Sequence, residues 1–265
     1  MTTNPGGAIL RVTMLGVALA ALCGCVTSGD EERSSSPKDA AAYNAQLGIG
    51  YLQQGDVKAA REKIERALKQ DPGNANVHTA AALLYDRMGD VDRADRHYST
   101  VVRLKPRDPE ALNNHAVFLC RNKRAAKGES NFLEAAASPL NRAPEVAYTN
   151  AGLCASGAGK VDDARRHFEA ALNVKPTYRD AIMQLAELHL AGGRPDQARN
   201  YLMRLFDVEP ASAEALWLGV RIETAAGNTR STEIYKKRLK AEFPGAEQTR
   251  ALIASERKPS ERSSR

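Results

Sequence analysis

Aromatic residues are scarce in this chain of 265 residues, at 5% of the total, and no cluster of positive charge accompanies them. Lys and Arg number 38 against 32 Asp and Glu, and the net charge of +6 is spread along the sequence. A nucleic-acid binder gathers its basic residues into a stripe and, for single strands, interleaves aromatic stacking platforms. Nucleic acid is therefore excluded as a partner. Cysteine is also rare: there are four, with no Cys-x-x-Cys pair, and no His-x-x-x-His spacing stands beside them to suggest a metal site. Long apolar runs are missing too. The run from Val12 to Leu22 covers 11 residues, short of the about 20 that a bilayer-spanning helix needs. What is present, 43% apolar and 26% charged residues, is the composition of a globular chain of one or two domains.

The short apolar run follows a polar start with a single Arg11 and reads as the core of a signal peptide, residues 1–24. It ends in Leu22-Cys23-Gly24-Cys25, which resembles the bacterial lipobox, with Leu three residues before the modified Cys and Gly one before it. That resemblance implies cleavage before Cys25 and acylation of Cys25; Cys23 fits less well, because Leu22 would hold the small-residue position. The alternative is an ordinary cleaved signal with a coincidental Cys. Val26 after the Cys, rather than Asp, resembles lipoproteins sorted to the outer membrane, which gives a lipid-anchored location at its periplasmic face. Residues 25–40, rich in Ser, Thr, Asp and Glu, have little apolar surface to bury and read as a flexible tether with a reach of about 20 Å.

Beyond the tether a period of 34 residues governs the chain. Prolines fall at 72, 106, 176, 210 and 244, and the single gap of 70 is two periods plus two residues, inserted in the loop Ser138-Pro139-Leu140-Asn141-Arg142-Ala143-Pro144. Six units follow: 41–74, 75–108, 109–144, 145–178, 179–212 and 213–246. In the first, Leu47, Gly48 and Tyr51 share one helix face, Gly55-Asp56 makes a turn, and Ala60, Ile64 and Ala67 form the facing stripe of a second helix before Pro72. Ala81, Ala82, Tyr85, Ala94, Tyr98 and Val101 repeat this, as do Ala151, Gly152, Ala164, Phe168 and Ala171, and then Leu185, Ala186, Ala198, Leu202 and Leu205. The pattern resembles the tetratricopeptide repeat (TPR), which implies an all-α, right-handed superhelix of helix-turn-helix units with a concave groove. The third unit departs with Gly128 in place of Ala, and the sixth with Thr232 and Lys236 in the stripe, as a polar terminal cap requires. Residues 247–265 form a basic C-terminal tail, either solvated or a short helical end.

This architecture removes most catalytic candidates. His78, His115 and His189 fall at packing positions of first helices, and His97 and His167 are repeat-equivalent on second helices. Gly48-Ile49-Gly50 follows no strand and lacks the third glycine of a phosphate loop, and no nucleophile elbow is present. The expectation is a non-enzymatic protein without cofactor, metal or small-molecule substrate. With Cys23 lost and Cys25 acylated, Cys120 and Cys154 remain on first helices of consecutive units; packed helices of a TPR stack approach closely enough for a disulfide, and two buried free thiols are the alternative.

The TPR likeness further implies a binding groove on the inner faces of the first helices. The residues placed there are Ile49, Leu52, Gln53, Leu83, Asp86, Arg87, Asn113, Val117, Arg121, Thr149, Leu153, Met183 and Leu190, with the more apolar half first. Ala45 and Ile49 stand where carboxylate-clamp TPRs carry basic and amide side chains, so an acidic C-terminal peptide is not the expected ligand. The phrases Gln46-Leu47-Gly48-Ile49-Gly50-Tyr51-Leu52-Gln53-Gln54-Gly55-Asp56 and Leu112-Asn113-Asn114-His115-Ala116-Val117-Phe118-Leu119-Cys120, together with the lipobox, resemble the type IV pilus biogenesis TPR lipoproteins of the PilF/PilW family. That resemblance implies a pilotin, a lipoprotein that binds secretin subunits and promotes their outer-membrane localisation and multimerisation. The alternative is a TPR lipoprotein scaffold for cell-wall hydrolases or outer-membrane assembly factors.

Overall fold

The computed structural model describes residues 36–262, with side chains to residue 256. The expected signal peptide, Cys25 and residues 25–35 lie outside the described residues. Within them the regular structure is helical, in six consecutive pairs: α1 (Pro37–Gln53) with α2 (Val57–Gln70), α3 (Ala75–Arg87) with α4 (Val91–Leu104), α5 (Pro109–Arg121) with α6 (Ala125–Ala137), α7 (Pro144–Gly157) with α8 (Val161–Val174), α9 (Arg179–Ala191) with α10 (Pro195–Val208), and α11 (Ala213–Ala225) with α12 (Thr229–Glu242). A thirteenth helix, α13 (Glu247–Arg262), follows. Each helix packs on the next, and first helices also pack on first helices, α1 on α3, α5 on α7 and α9 on α11, which makes an all-α superhelical repeat.

One boundary differs from the sequence reading. The tether was expected to run to residue 40, but α1 begins at Pro37, because Ser36 is an N-cap whose Oγ accepts from the Asp39 N–H, Pro37 is preset for the first turn, and Asp39 complements the helix dipole. At the C-terminus the helical alternative is the one observed, and the helix is docked. Leu252 of α13 is buried with Leu216 and Leu239, and the Thr249 hydroxyl donates to the Phe243 carbonyl at 2.6 Å. The stack is therefore closed by a docked helix as well as by the polar residues of α12, where Lys236 pairs with Glu233 at 2.8 Å.

Turn chemistry repeats with the period. Asp56, Asp90 and Asn228 cap the second helices of their units, each accepting from a backbone N–H three residues on. One residue earlier, Gly55, Gly89, Gly159, Gly193 and Gly227 all adopt φ between 69° and 82°, the left-handed conformation that lets the chain reverse. Lys123 occupies the same place in the third unit at φ 61°, where its Cβ is strained.

The core is made inside each unit by a small residue of the first helix facing a large one of the second. Gly48 meets Ile64 and Gly152 meets Phe168, so closely that a Cβ on either glycine would sit 2.4 Å from the partner side chain. Gly128 has a different reason. The side chain of Cys120 on α5 fills the space that an alanine would take, leaving 2.3 Å between an added Cβ and the Cys120 sulfur. Cys120 is joined to Cys154 of α7 in a disulfide with Cα atoms 5.5 Å apart. It ties the third unit to the fourth across the irregular loop, which is ordered by Ser138 Oγ donating to the Arg107 carbonyl and Asn141 Nδ2 donating to that of Ala135.

Two substitutions in this unit should act in opposite directions in urea unfolding. Lys123→Gly relieves the left-handed strain and should raise stability by about 1 kcal/mol. Gly128→Ala forces a methyl against the disulfide and should lower it by about 1–3 kcal/mol, more than the helix propensity of alanine returns.

Candidate functional site

First helices present one residue position, recurring once per unit, along a shared face. In the first four units it carries Ile49, Leu83, Val117 and Leu153. A helix surface that is meant for water places polar groups here. Instead Leu83 is 38% exposed, Val117 45% and Leu153 44%, a row of aliphatic side chains open to solvent. In the fifth and sixth units the same position carries Glu187 and Arg221, joined at 2.6 Å in an ion pair that ends the row.

Two adjoining hollows lie along this row. The first, about 650 Å³, is formed by α1, α3 and α5 and lined by Ile49, Leu52, Gln53, Leu83, Asp86, Arg87 and Arg121. The second, about 580 Å³, lies between α5 and α7, with Val117 and Leu153 beside the Cys120–Cys154 disulfide. Arg121 belongs to both and pairs with Asp86 of the preceding unit. Arg87, Arg121 and Lys123 thus border the apolar row with Asp86 as the one lining carboxylate, which leaves the groove net positive.

Nine of the thirteen residues assigned to the groove from sequence line these hollows. Asn113 stands just behind, where its Oδ1 accepts from Nδ2 of the lining residue Asn150 at 2.9 Å. The other three lie outside these two hollows. Thr149 is buried and donates its hydroxyl to the Glu145 carbonyl of its own helix, while Met183 and Leu190 pack half-buried against the core of the later units. Sequence reading also missed Lys123, Asn150 and the disulfide as lining groups. The cysteines had been read as a disulfide or two buried thiols, without a place in the groove.

The histidines are structural. His115 is buried, its Nε2 2.9 Å from Asp95, which also binds Arg124. His78 donates Nε2–H to the Pro72 carbonyl and accepts at Nδ1 from Nδ1–H of His97, 2.9 Å away, and His97 stacks on Tyr85. Burial first, and then the neighbouring His78, Arg96 and Arg93, hold His97 down to about 4. Burial likewise lowers His115 and His189. These rings bind protons in the unfolded chain from about pH 6.5 downward while the folded protein resists doing so. Stability should therefore fall between about pH 6.5 and 4, by about 1–3 kcal/mol for His97 alone. Urea midpoints measured across that range should show the loss, and His97→Gln should flatten it.

The repeat agrees with known proteins. The tetratricopeptide-repeat family matches residues 51–116 and 155–219. The type IV pilus assembly protein PilF of Pseudomonas aeruginosa is 28% identical over 240 residues, covering 89% of this chain and 95% of PilF. An uncharacterised protein of Haemophilus influenzae is 31% identical over 129 residues, covering 49% of this chain and 72% of its own. Among solved structures, PilW, described as a widely conserved type IV pilus biogenesis factor, superposes with a TM-score of 0.63 at 29% identity, covering 80% of this chain and 98% of PilW. That of Pseudomonas aeruginosa PilF gives 0.60 at 26% identity, covering 83% of this chain and 99% of its own. The chain belongs to the tetratricopeptide-repeat family and is a homologue of the type IV pilus biogenesis proteins PilF and PilW.

Proposed function

We propose that this chain is a pilotin of type IV pilus biogenesis, a lipoprotein anchored at the periplasmic face of the outer membrane that binds secretin subunits and promotes their localisation and multimerisation there. The observation that carries this reading is the exposed aliphatic row with its basic border, on a chain homologous over 89% of its length to a pilus assembly protein. Such a surface suits capture of a protein segment, because its apolar groups gain by being covered and its charges select the partner.

Acyl chains on Cys25 supply membrane affinity that grows by about 0.8 kcal/mol per buried methylene. A groove carried on the same molecule holds its client at a raised effective concentration beside the bilayer. Delivery and chaperoning then need no chemical step, and no enzymatic activity is assigned.

The test is the amount of SDS-resistant secretin multimer in outer membranes of cells lacking this protein, complemented with wild type or with Cys25→Ala. The expected result is loss of multimers in the deletion and full recovery only with the acylatable form. Unchanged multimers and normal pili would overturn the proposal, and cell-wall defects with intact pili would point to a scaffold for cell-wall hydrolases.

A further inference from the structure

Resting on the groove as the partner site, we infer that it takes an α-helical segment, with an aliphatic residue at every seventh position and acidic residues along one flank. Spacing is the first argument. Ile49, Leu83, Val117 and Leu153 recur once per unit; α1 packs on α3 and α5 on α7, packed helices lie about 8–10 Å apart, and α3 and α5 border one hollow and are joined by the Asp86–Arg121 pair. Seven residues of an α-helix rise about 10.5 Å and return nearly to the same face, so one heptad of the ligand meets one unit of the groove. An extended strand fails this match. Residues two apart advance only about 7 Å, and those three apart point to opposite faces. A polyproline helix has a suitable rise of about 9 Å per three residues, but grooves that read it are lined by exposed aromatic rings. Neither hollow is lined by Tyr or Trp, and Phe132 in the second is almost fully buried.

Charge sets the flank. One turn beyond the aliphatic row stand Arg87 and Arg121, with Lys123 at the following turn, and the Asp86 carboxylate is already paired with Arg121. The uncompensated charge is positive and lies to one side of the row, which favours acidic residues on the matching side of the ligand helix. The row also has an end. At the fifth and sixth units the Glu187–Arg221 pair replaces the aliphatic residue, so apolar contact stops after four units and the helix is about three heptads long.

The test uses the purified full chain in detergent and three fluorescent synthetic peptides of about 22 residues. The first has Leu at every seventh position with Glu on one flank, the second replaces Glu by Lys, and the third has the composition of the first with Leu at alternate positions. Anisotropy titration should show the first binding at least about tenfold more tightly than either other peptide, a difference of about 1.4 kcal/mol. Val117→Glu should remove that binding, with Leu153→Glu as a second variant at a comparably exposed site should the first fail to fold. The double variant Arg87→Glu and Arg121→Glu should reverse the order of the first two peptides. Tighter binding of the alternating peptide, no preference between Glu and Lys flanks, no reversal in the double variant, or occupation of the row by a second copy of this chain in sedimentation would overturn the inference.

Secretin multimers in cells carrying Val117→Glu separate this from the reading it rests on. Peptide preference as expected with multimers intact would leave the helical ligand standing and remove the secretin. Multimers lost while the peptides show no preference would do the opposite.

Discussion

The close approach of two helices within each unit is the constraint from which the rest follows. A small residue on the first helix, Gly48, Ala82, Ala116, Gly152 or Ala186, lies against Ile64, Tyr98, Phe132, Phe168 or Leu202 on the second. Where it is glycine, a single added carbon would collide with its partner. Because the second helix supplies the bulk, the opposite face of the first is not needed for the core, and its side chains are free to form a continuous surface. The chain is long enough to need little else: each unit buries its own stripe against its neighbours, and a docked thirteenth helix covers the last one.

Along that freed surface the two halves differ. Four units carry an aliphatic row, exposed at Leu83, Val117 and Leu153 and half-buried at Ile49, with arginines beside it in the second and third, whereas the last two close the same position with an ion pair. The irregular third unit contributes to both hollows. Its disulfide joins the two first helices that hold Val117 and Leu153, its Gly128 yields space to the bridging sulfur, and its Lys123 takes the backbone conformation that glycine takes at the equivalent turn of the other five units. These departures from the repeat thus gather where the second hollow is formed.

How much of this was legible varies with the kind of information involved. The 34-residue period, the small-against-large stripes and the turn glycines are local and repeated six times, so the fold and its unit boundaries could be read directly, and Leu83, Asp86, Arg87 and Arg121 could be placed by periodicity. Thr149 was misplaced because a threonine on a helix can satisfy its hydroxyl on the preceding turn and turn inward, which spacing does not reveal. Met183 and Leu190 stand half-buried against the core of the later units, away from the two hollows. The helical start at Pro37 was signalled by Ser36, Pro37 and Asp39, a capping pattern outweighed in the reading by the polar composition around it.

By itself the sequence determined the repeat, the number of units, the absence of a basic stripe and the lipobox-like Cys25, because each is written in residue identity and spacing along the chain. The tertiary structure alone decided which of the groove candidates face solvent, that Cys120 and Cys154 meet beneath a hollow, that Arg121 spans two hollows while bound to Asp86, and that the C-terminal residues dock as a helix. Those facts depend on how far each unit is rotated and displaced against the next. That geometry is set by the sum of side-chain volumes packed between helices, which no single position encodes.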